Sequence, residues 1–155
     1  MHGLSDFDLE LLDRVHALAL AAEAAGNLPI AAVLADGDAI LGEGANRTLV
    51  PTMHPGRHAE VEALALAPDS VWAAPRRLTL VTSLEPCLMC FGALVLHRVG
   101  RVIYGAVDPL GGALALAPHL PPYVRAKAAA IEWLGPVDPG RFDPLAARAL
   151  ARRPS

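Results

Sequence analysis

The chain contains three metal-binding side chains that lie far apart in sequence and can act together only if the fold brings them into contact. His58 belongs to a His-Ala-Glu tripeptide, and Cys87 and Cys90 belong to a Pro-Cys-Leu-Met-Cys segment. One imidazole and two thiolates suit Zn²⁺ and leave a fourth coordination position open for water. Glu60, two residues after the histidine, can move protons on such a water without being a ligand. The pattern therefore predicts one zinc ion per chain in a hydrolytic site.

The local spacing supports this assignment of the ligands. Cys87 and Cys90 are three positions apart, so on a helix they project from one face and can bind one ion. Pro86 suits a helix start, where its missing N–H costs little. Thiols at that end of a helix lie in the positive field of its dipole, which favours the ligating thiolate. We therefore predict that a helix begins at this segment.

Two other roles would also fit the cysteines. A Cys-x-x-Cys pair can be a redox dithiol, although here the spacer is Leu-Met and no aromatic residue precedes the first cysteine. A structural zinc site would close the metal with four protein ligands. The chain has only two cysteines, so such a site needs a second histidine, and His54 is the one near the motif.

Length and composition limit the kind of protein this can be. A chain of 155 residues fits one compact domain, which we expect to span residues 1–155. Apolar residues make up 54% of the chain, yet no charge-free run of about 18 apolar residues occurs, so we expect no membrane span. The acidic start does not fit a secretory leader. Both cysteines serve the metal motif, which favours a reducing cytoplasm.

The charge of the chain is a mild argument against a dedicated nucleic-acid binder. The formal net charge is −3, whereas such proteins normally carry a basic patch or stripe. Four arginines occur near the C-terminus, and we expect them to form a solvated helix face or a frayed end. These are Arg141, Arg148, Arg152 and Arg153.

Hydrophobic periodicity and turn residues predict strands that alternate with helices. The predicted helices span residues 6–25, 58–66, 87–96, 123–130 and 143–151. The predicted strands span residues 29–34, 39–44, 78–82, 101–107 and 131–134, with loops at 46–56, at 68–75 and after 108. The Asp36-Gly37 turn makes the first two strands a hairpin. We therefore predict an α/β fold, a three-layer α/β/α sandwich around a mixed five-stranded sheet.

The region from about residue 29 to residue 113 resembles the cytidine deaminase superfamily, and within it the branch that handles purines. The resemblance rests on the segments 29–34, 42–47, 82–90 and 98–108, which follow the family's pattern. It implies that His58, Cys87 and Cys90 bind zinc, that Glu60 is the proton shuttle, and that the protein is a homodimer.

The resemblance also implies several contacts with the substrate. Asn46 matches the position that hydrogen-bonds the substrate ring or its sugar edge, and Asp108 matches a residue at the mouth of the pocket. The proposed reaction adds Ala59 and Glu85 as candidates, because backbone N–H groups around Ala59 and at residues 83–87 could hold developing charge. Arg57, directly before the zinc histidine, either points outward or approaches the substrate.

Two segments depart from the family's pattern. The family commonly has Asp-Pro-Thr-Ala before the zinc histidine, whereas this chain has His-Pro-Gly-Arg at residues 54–57. The tRNA-acting members end in a basic, aromatic helix, whereas this tail is short and interrupted by Pro144. The resemblance therefore specifies the reaction more closely than the substrate.

Three functions remain open from the sequence. The favoured one is deamination of a free base, a nucleoside or a related small aminated heterocycle, with a purine preferred. The first alternative is conversion of adenosine to inosine at the wobble position of tRNA. The second alternative is a non-catalytic zinc-binding module.

Overall fold

A computed structural model describes residues 3–153 of the chain, and its order of helices and strands matches the prediction. The helices are α1 (Asp6–Ala24), α2 (Ala59–Ala65), α3 (Leu88–Leu96), α4 (Pro122–Ala129) and α5 (Pro139–Arg152). The strands are β1 (Ala31–Asp36), β2 (Ala39–Ala45), β3 (Leu78–Leu84), β4 (Arg101–Ala106) and β5 (Glu132–Leu134). No helix within these residues is long and apolar enough to cross a membrane. The expectation about the N-terminus concerns in part Met1 and His2, which lie outside the described residues.

The five strands form one mixed sheet in the order β2-β1-β3-β4-β5. β1 is antiparallel to both β2 and β3, whereas β3, β4 and β5 are parallel. Helices α1 and α5 pack together on one face of the sheet, and α2, α3 and α4 form the layer on the other face. This is the predicted α/β/α sandwich.

The central strands are buried along most of their length because helices cover both faces of the sheet. Every residue of β3 except Thr79 is buried, and β1 is buried from Ala31 to Ala35. The two largest fully buried side chains lie in opposite layers, Phe91 on α3 and Phe142 on α5. The core therefore continues through the sheet and joins the two helical layers.

The topology brings the ends of four strands to one edge of the sheet. The segment before β1 lies beside the end of β2, because Ala31 pairs with Ala45. The carboxyl ends of β3 and β4 lie at the same edge, because β1 is antiparallel to β3 and β4 is parallel to it. In open α/β sheets, ligands bind outside the carboxyl ends of the parallel strands. Residues from four separate parts of the chain therefore meet where a ligand is expected.

The structure corrects two predicted segments. The stretch expected to be a loop at 68–75 forms two 3₁₀ turns, Asp69–Ala73 and Pro75–Arg77. Helix α5 begins at Pro139 rather than at residue 143, and it contains Pro144. A proline in a helix interior removes one i→i−4 hydrogen bond. Ion pairs between α5 and α1 stabilise the helix despite that loss.

The C-terminal arginines were expected to form a solvated helix face or a frayed end. Arg148 and Arg152 are exposed on α5, but these arginines also bind neighbouring segments. Arg141 pairs with Asp13, and Arg148 makes two hydrogen bonds to Glu23, so both arginines attach α5 to α1. Arg152 donates to two backbone carbonyl groups in the turn that follows α1. Complementary charge on α1 therefore fixes α5 in place.

Two glycines of β2 set the distance between that strand and α2. A Cβ atom at Gly44 would lie 2.0 Å from the carbonyl oxygen of Ala59, and one at Gly42 would lie 2.6 Å from that of Ala63. No side chain fits between these backbones. The absence of a Cβ therefore positions the N-terminus of α2, which carries His58 and Glu60.

We expect Gly44→Ala to lower the free energy of unfolding by about 1–3 kcal/mol or more, because the backbone of α2 must shift to admit the methyl group. Gly92→Ala is the matched control, since a Cβ there meets nothing within 4 Å and the residue lies in α3. In a helix, alanine should raise stability by about 0.5–1 kcal/mol. Urea unfolding of the zinc-saturated proteins measures both changes, and equal stability of the two variants would contradict this account of β2.

Candidate metal centre and active site

Two helix N-termini converge on the metal-binding side chains. His58 caps α2, Cys87 caps α3, and Cys90 lies in the first turn of α3. Helix α3 begins at Leu88, one residue later than predicted, so Pro86 precedes the cap and does not lie in the first turn. Helix N-termini carry positive potential, which stabilises negative charge beside them. The fold therefore favours thiolates at this position.

The three donor atoms have the spacing of a tetrahedral zinc site. The Nδ1 atom of His58 lies 3.4 Å from Sγ of Cys87 and 3.5 Å from Sγ of Cys90. Zinc–sulfur bonds of about 2.3 Å and zinc–nitrogen bonds of about 2.0–2.1 Å at tetrahedral angles place such donors about 3.5 Å apart. All three donor atoms lie within 4.8 Å of one another. These residues are therefore placed to hold a zinc ion.

His54 does not join this cluster among the described residues. Its side chain is exposed, and its Nδ1 atom accepts a hydrogen bond from the backbone N–H of Gly56. A closed structural site with four protein ligands is therefore not formed in this conformation. Three protein ligands leave one coordination position for water or substrate, which is typical of catalytic zinc sites.

The two thiols differ in their protonation. Hydrogen bonding from Cys90, together with the imidazole of His58, lowers the pKa of the Cys87 thiol to about 4. The hydrogen bond with Cys87 and the burial of Cys90 raise the pKa of the Cys90 thiol. The pair therefore holds one proton before metal binds, and Cys87 is a thiolate ready to act as a ligand.

Glu60 lies beside the ligands and is not part of their cluster. Its side chain is buried, with Oε1 accepting a hydrogen bond from the Thr82 hydroxyl at 3.1 Å and Oε2 lying 3.2 Å from Sγ of Cys90. Burial raises the pKa of the Glu60 carboxyl group. A carboxyl group with a raised pKa can both accept and return a proton near neutral pH.

A cavity of about 200 Å³ opens in front of these groups. It contains all the candidates from the sequence except Cys90, which lies behind its wall, and Arg57. Three apolar side chains from Leu28, Ile30 and Leu84 complete the lining, together with Arg153. Sequence reasoning missed these four residues, because nothing in their local sequence marks them as neighbours of the metal ligands.

Asn46 is oriented by its own hydrogen bonds. Its Oδ1 atom accepts from the backbone N–H groups of Leu28 and Thr48 and from the Thr48 hydroxyl, at 3.3, 3.2 and 2.9 Å. The other end of the side-chain amide, the donor Nδ2, makes no hydrogen bond to the described residues, and Asn46 lines the cavity. Ala59 also lines the cavity. As the first residue of α2, it has a backbone N–H with no partner inside the helix.

Two buried carboxylates shape the wall formed by residues 107–112. Glu85 accepts hydrogen bonds from the backbone N–H groups of Asp108 and Leu114, both at 3.2 Å. Asp108 accepts from two N–H groups of its own loop through Oδ1 and from Arg153 through Oδ2. Burial raises the pKa of the Asp108 carboxyl group, but Arg153 and these N–H groups outweigh burial and leave the pKa lowered. Asp108 is therefore a fixed anion at the cavity.

Arg57 lies outside the lining of the cavity. Its guanidinium group makes two hydrogen bonds to the carboxylate of Glu62, at 2.8 and 3.0 Å. Of the two orientations expected from the sequence, the structure shows the outward one, with Arg57 paired with Glu62 and absent from the cavity lining.

Comparison with known proteins identifies the chemistry of this arrangement. Residues 5–106 match the family model described as the cytidine and deoxycytidylate deaminase zinc-binding region. The chain belongs to this family. It is a zinc-type deaminase, a hydrolase that acts on carbon–nitrogen bonds, and this agrees with the resemblance drawn from the sequence.

Similar proteins of this family include enzymes for RNA and for free bases. The tRNA-specific adenosine deaminase of Haemophilus influenzae is 40% identical over 120 residues, which is 74% of this chain and 67% of that protein. A structure from studies of A-to-I editing by tRNA:A34 deaminases is 30% identical with a TM-score of 0.62, covering 68% of this chain and 82% of that one. The guanine deaminase of Bacillus subtilis is 34% identical with a TM-score of 0.58, covering 68% and 66%. This chain spans less than two thirds of several other curated relatives that it matches.

We expect Cys87→Ser and Cys90→Ser to lose most of the bound zinc, because each variant removes one of three protein ligands. Glu60→Gln is the matched control: it changes a buried neighbour that is not a ligand, so about one zinc per chain should remain. Metal analysis by mass spectrometry after dialysis measures both results. Normal zinc content in either serine variant would contradict the assignment of the ligands.

Proposed function

We propose that this protein hydrolytically deaminates a small aminated heterocycle, a free base or nucleoside with a purine preferred, to the corresponding carbonyl compound and ammonia. The observation that carries the proposal is the small cavity at the metal ligands with Arg153 at its mouth. At about 200 Å³ it is smaller than the range of about 300–1,000 Å³ typical of pockets for drug-sized ligands. A single base is a suitable occupant of such a site.

The chain's own residues supply the proton transfers of the reaction. When bound, zinc lowers the pKa of a coordinated water and so supplies hydroxide near neutral pH. With zinc held by His58, Cys87 and Cys90, Glu60 would take one proton of that water and give it to the ring nitrogen, while the water oxygen bonds to the carbon that carries the amino group. Glu60 would then take the second proton from the new hydroxyl group and give it to the amino group, so the carbon–nitrogen bond breaks, ammonia leaves and the carbonyl forms. The carbonyl oxygen of the product comes from the water.

Other residues of the cavity orient the ring. Asn46 donates from Nδ2 to an acceptor on the ring, and the free N–H of Ala59 holds negative charge that develops near the metal. Leu28, Ile30 and Leu84 bury the faces of the ring in apolar surroundings. Glu85 and Asp108 hold the wall at residues 107–112 and offer further acceptor atoms.

Deamination of adenosine at the wobble position of tRNA is the alternative. The similarity to tRNA-specific adenosine deaminases favours it, as do Asn46 and Asp108 in the cavity. The charge of this chain is against it, because the net charge is −3 and the arginines of α5 pair with acidic side chains or backbone carbonyls. RNA binding depends on arginines that are available to phosphate groups.

We also propose that two copies of the chain associate, as the family resemblance implies. Helix α3 supports this, because Leu88, Met89 and Leu96 are large apolar side chains exposed to solvent. Sedimentation equilibrium measures the molar mass in solution. A value of twice the chain mass would support the dimer, and the mass of one chain at micromolar concentration would contradict it.

We expect the zinc-loaded protein to release ammonia from at least one small compound in a panel of adenine, guanine, cytosine, their nucleosides and aminotriazines. Glu60→Gln should lower that rate on the order of 10²–10⁴-fold, because proton transfer is lost while zinc remains. Ammonia release, coupled to an indicator enzyme, measures both rates.

A tRNA anticodon stem-loop belongs in the same panel. Inosine formed on the stem-loop alone, with no small compound converted, would contradict the proposal and establish the RNA alternative. No turnover of any substrate would favour the non-catalytic zinc-binding module.

A further inference from the structure

The end of α5 lies over the active-site cavity. Arg153, the residue that ends the helix, is the one lining residue that comes from beyond Asp108 in the described chain. All the other lining residues lie at or near the ends of β1 to β4, or at the start of α2 and α3. Arg153 therefore adds a separate wall to a site that the sheet edge otherwise forms.

One side of this wall is fixed by a buried carboxylate. The Nη2 atom of Arg153 lies 2.7 Å from Oδ2 of Asp108, whose side chain is only 1% exposed. The other oxygen of Asp108 accepts hydrogen bonds from the backbone N–H groups of Leu110 and Gly111. Nη1 of Arg153 packs against Gly111, where a Cβ atom would come within 2.8 Å. The guanidinium group is therefore held in one place.

The other side is fixed by the preceding residue. Arg152 donates to the carbonyl oxygens of Asn27 and Gly26, at 2.8 and 3.0 Å. Asn27 directly precedes Leu28, which lines the cavity on the side of β1. Arg152 is thus bound to the turn beside Leu28, and Arg153 lines the cavity beside Asp108; we call this pair the arginine strap.

Arg153 lies in the part of the cavity where we expect the far edge of a bound base. The amino-bearing carbon of the substrate has to face the metal ligands and Glu60, so the opposite edge of the ring points away from them. In a nucleoside the sugar projects from a ring nitrogen and has to leave the cavity. With the side chain of Arg153 still 32% exposed, the guanidinium group stands between the cavity and solvent.

We infer that Arg153 is a specificity-determining residue that restricts the site to free bases and excludes nucleosides. Its position leaves too little room for a ribose, and its remaining N–H groups can donate to acceptor atoms on the edge of the base. This inference rests on the proposed function and narrows its substrate to an aminated heterocycle without a sugar.

A purely structural role for Arg153 predicts a different result. If the arginine only held α5 in place, its removal would lower activity on base and nucleoside by the same factor. If it sets specificity, the ratio of the two kcat/KM values must change. Arg148→Ala is the matched control, because it removes another arginine that anchors α5 while its partner Glu23 lies outside the cavity.

The test compares kcat/KM for a base and for its nucleoside in the zinc-loaded wild type, Arg153→Ala and Arg148→Ala. We expect the wild type to prefer the base, and Arg153→Ala to raise the nucleoside-to-base ratio by about tenfold or more. The ratio should not change in Arg148→Ala. An unchanged ratio in Arg153→Ala would overturn the inference.

Two further measurements separate failure of this inference from failure of the proposed function. Calorimetric binding of the same compounds to zinc-loaded Glu60→Gln, with and without Arg153→Ala, tests exclusion of the nucleoside without the chemical step. Arg153→Met, which keeps an unbranched side chain, replaces the alanine variant if that variant folds poorly, and it should raise KM for the base because the donors are lost. A wild type that accepts base and nucleoside equally overturns only this inference, whereas one that neither binds nor deaminates a base overturns the proposed function as well.

Discussion

The structure depends on bringing two thiols and an imidazole close enough to share one ion. Cys87 and His58 cap two different helices, and their donor atoms lie 3.4 Å apart. The cysteines follow the end of β3. Two glycines of β2 allow the backbone of α2 to pack closely against that strand. The buried carboxyl of Glu60 beside them has its pKa raised by burial, which suits a group that carries protons. The packing of these strands and helices and the proton transfer proposed for Glu60 thus both depend on the cluster of metal ligands.

Much of this arrangement could be predicted from the sequence, because the signals for it lie within short stretches of the chain. Strand and helix periodicities are properties of short segments, and the spacing of His58, Glu60, Cys87 and Cys90 reflects the geometry of the zinc site. The placement of Arg153 could not be predicted, because its partner Asp108 lies 45 residues away. Only the fold determines such a pairing.

The arginines of α5 show that complementary charge on distant segments can predict which helices pack together. Arg141 and Arg148 are seven residues apart and so share one face of a helix, opposite acidic residues of α1. Read together, the acidic start and the basic end of the chain predict that these helices pair. Read separately, the same arginines resemble a solvated surface. Predicting the packing of α5 against α1 therefore requires comparing the charges of segments that lie far apart in the sequence.

Family membership and the cavity answer different questions about function. Membership of the zinc-binding deaminase family gives the class of reaction, and His58, Cys87 and Cys90 are placed to hold the metal. We infer that the choice of substrate depends on residues outside the zinc motif, above all on Arg153 in the lining of the cavity. A cavity of about 200 Å³ lined by Arg153 fits a small substrate better than a structured RNA.

X-ray absorption spectroscopy at the zinc edge tests the central claim most directly, because that claim is a three-ligand zinc centre with one open position. We expect two sulfur neighbours at about 2.3 Å, one imidazole nitrogen at about 2.0–2.1 Å, and one light atom from water. Addition of a substrate analogue should change only the light-atom shell. A second imidazole, as from His54, or four protein donors that do not respond to the analogue would contradict a catalytic centre.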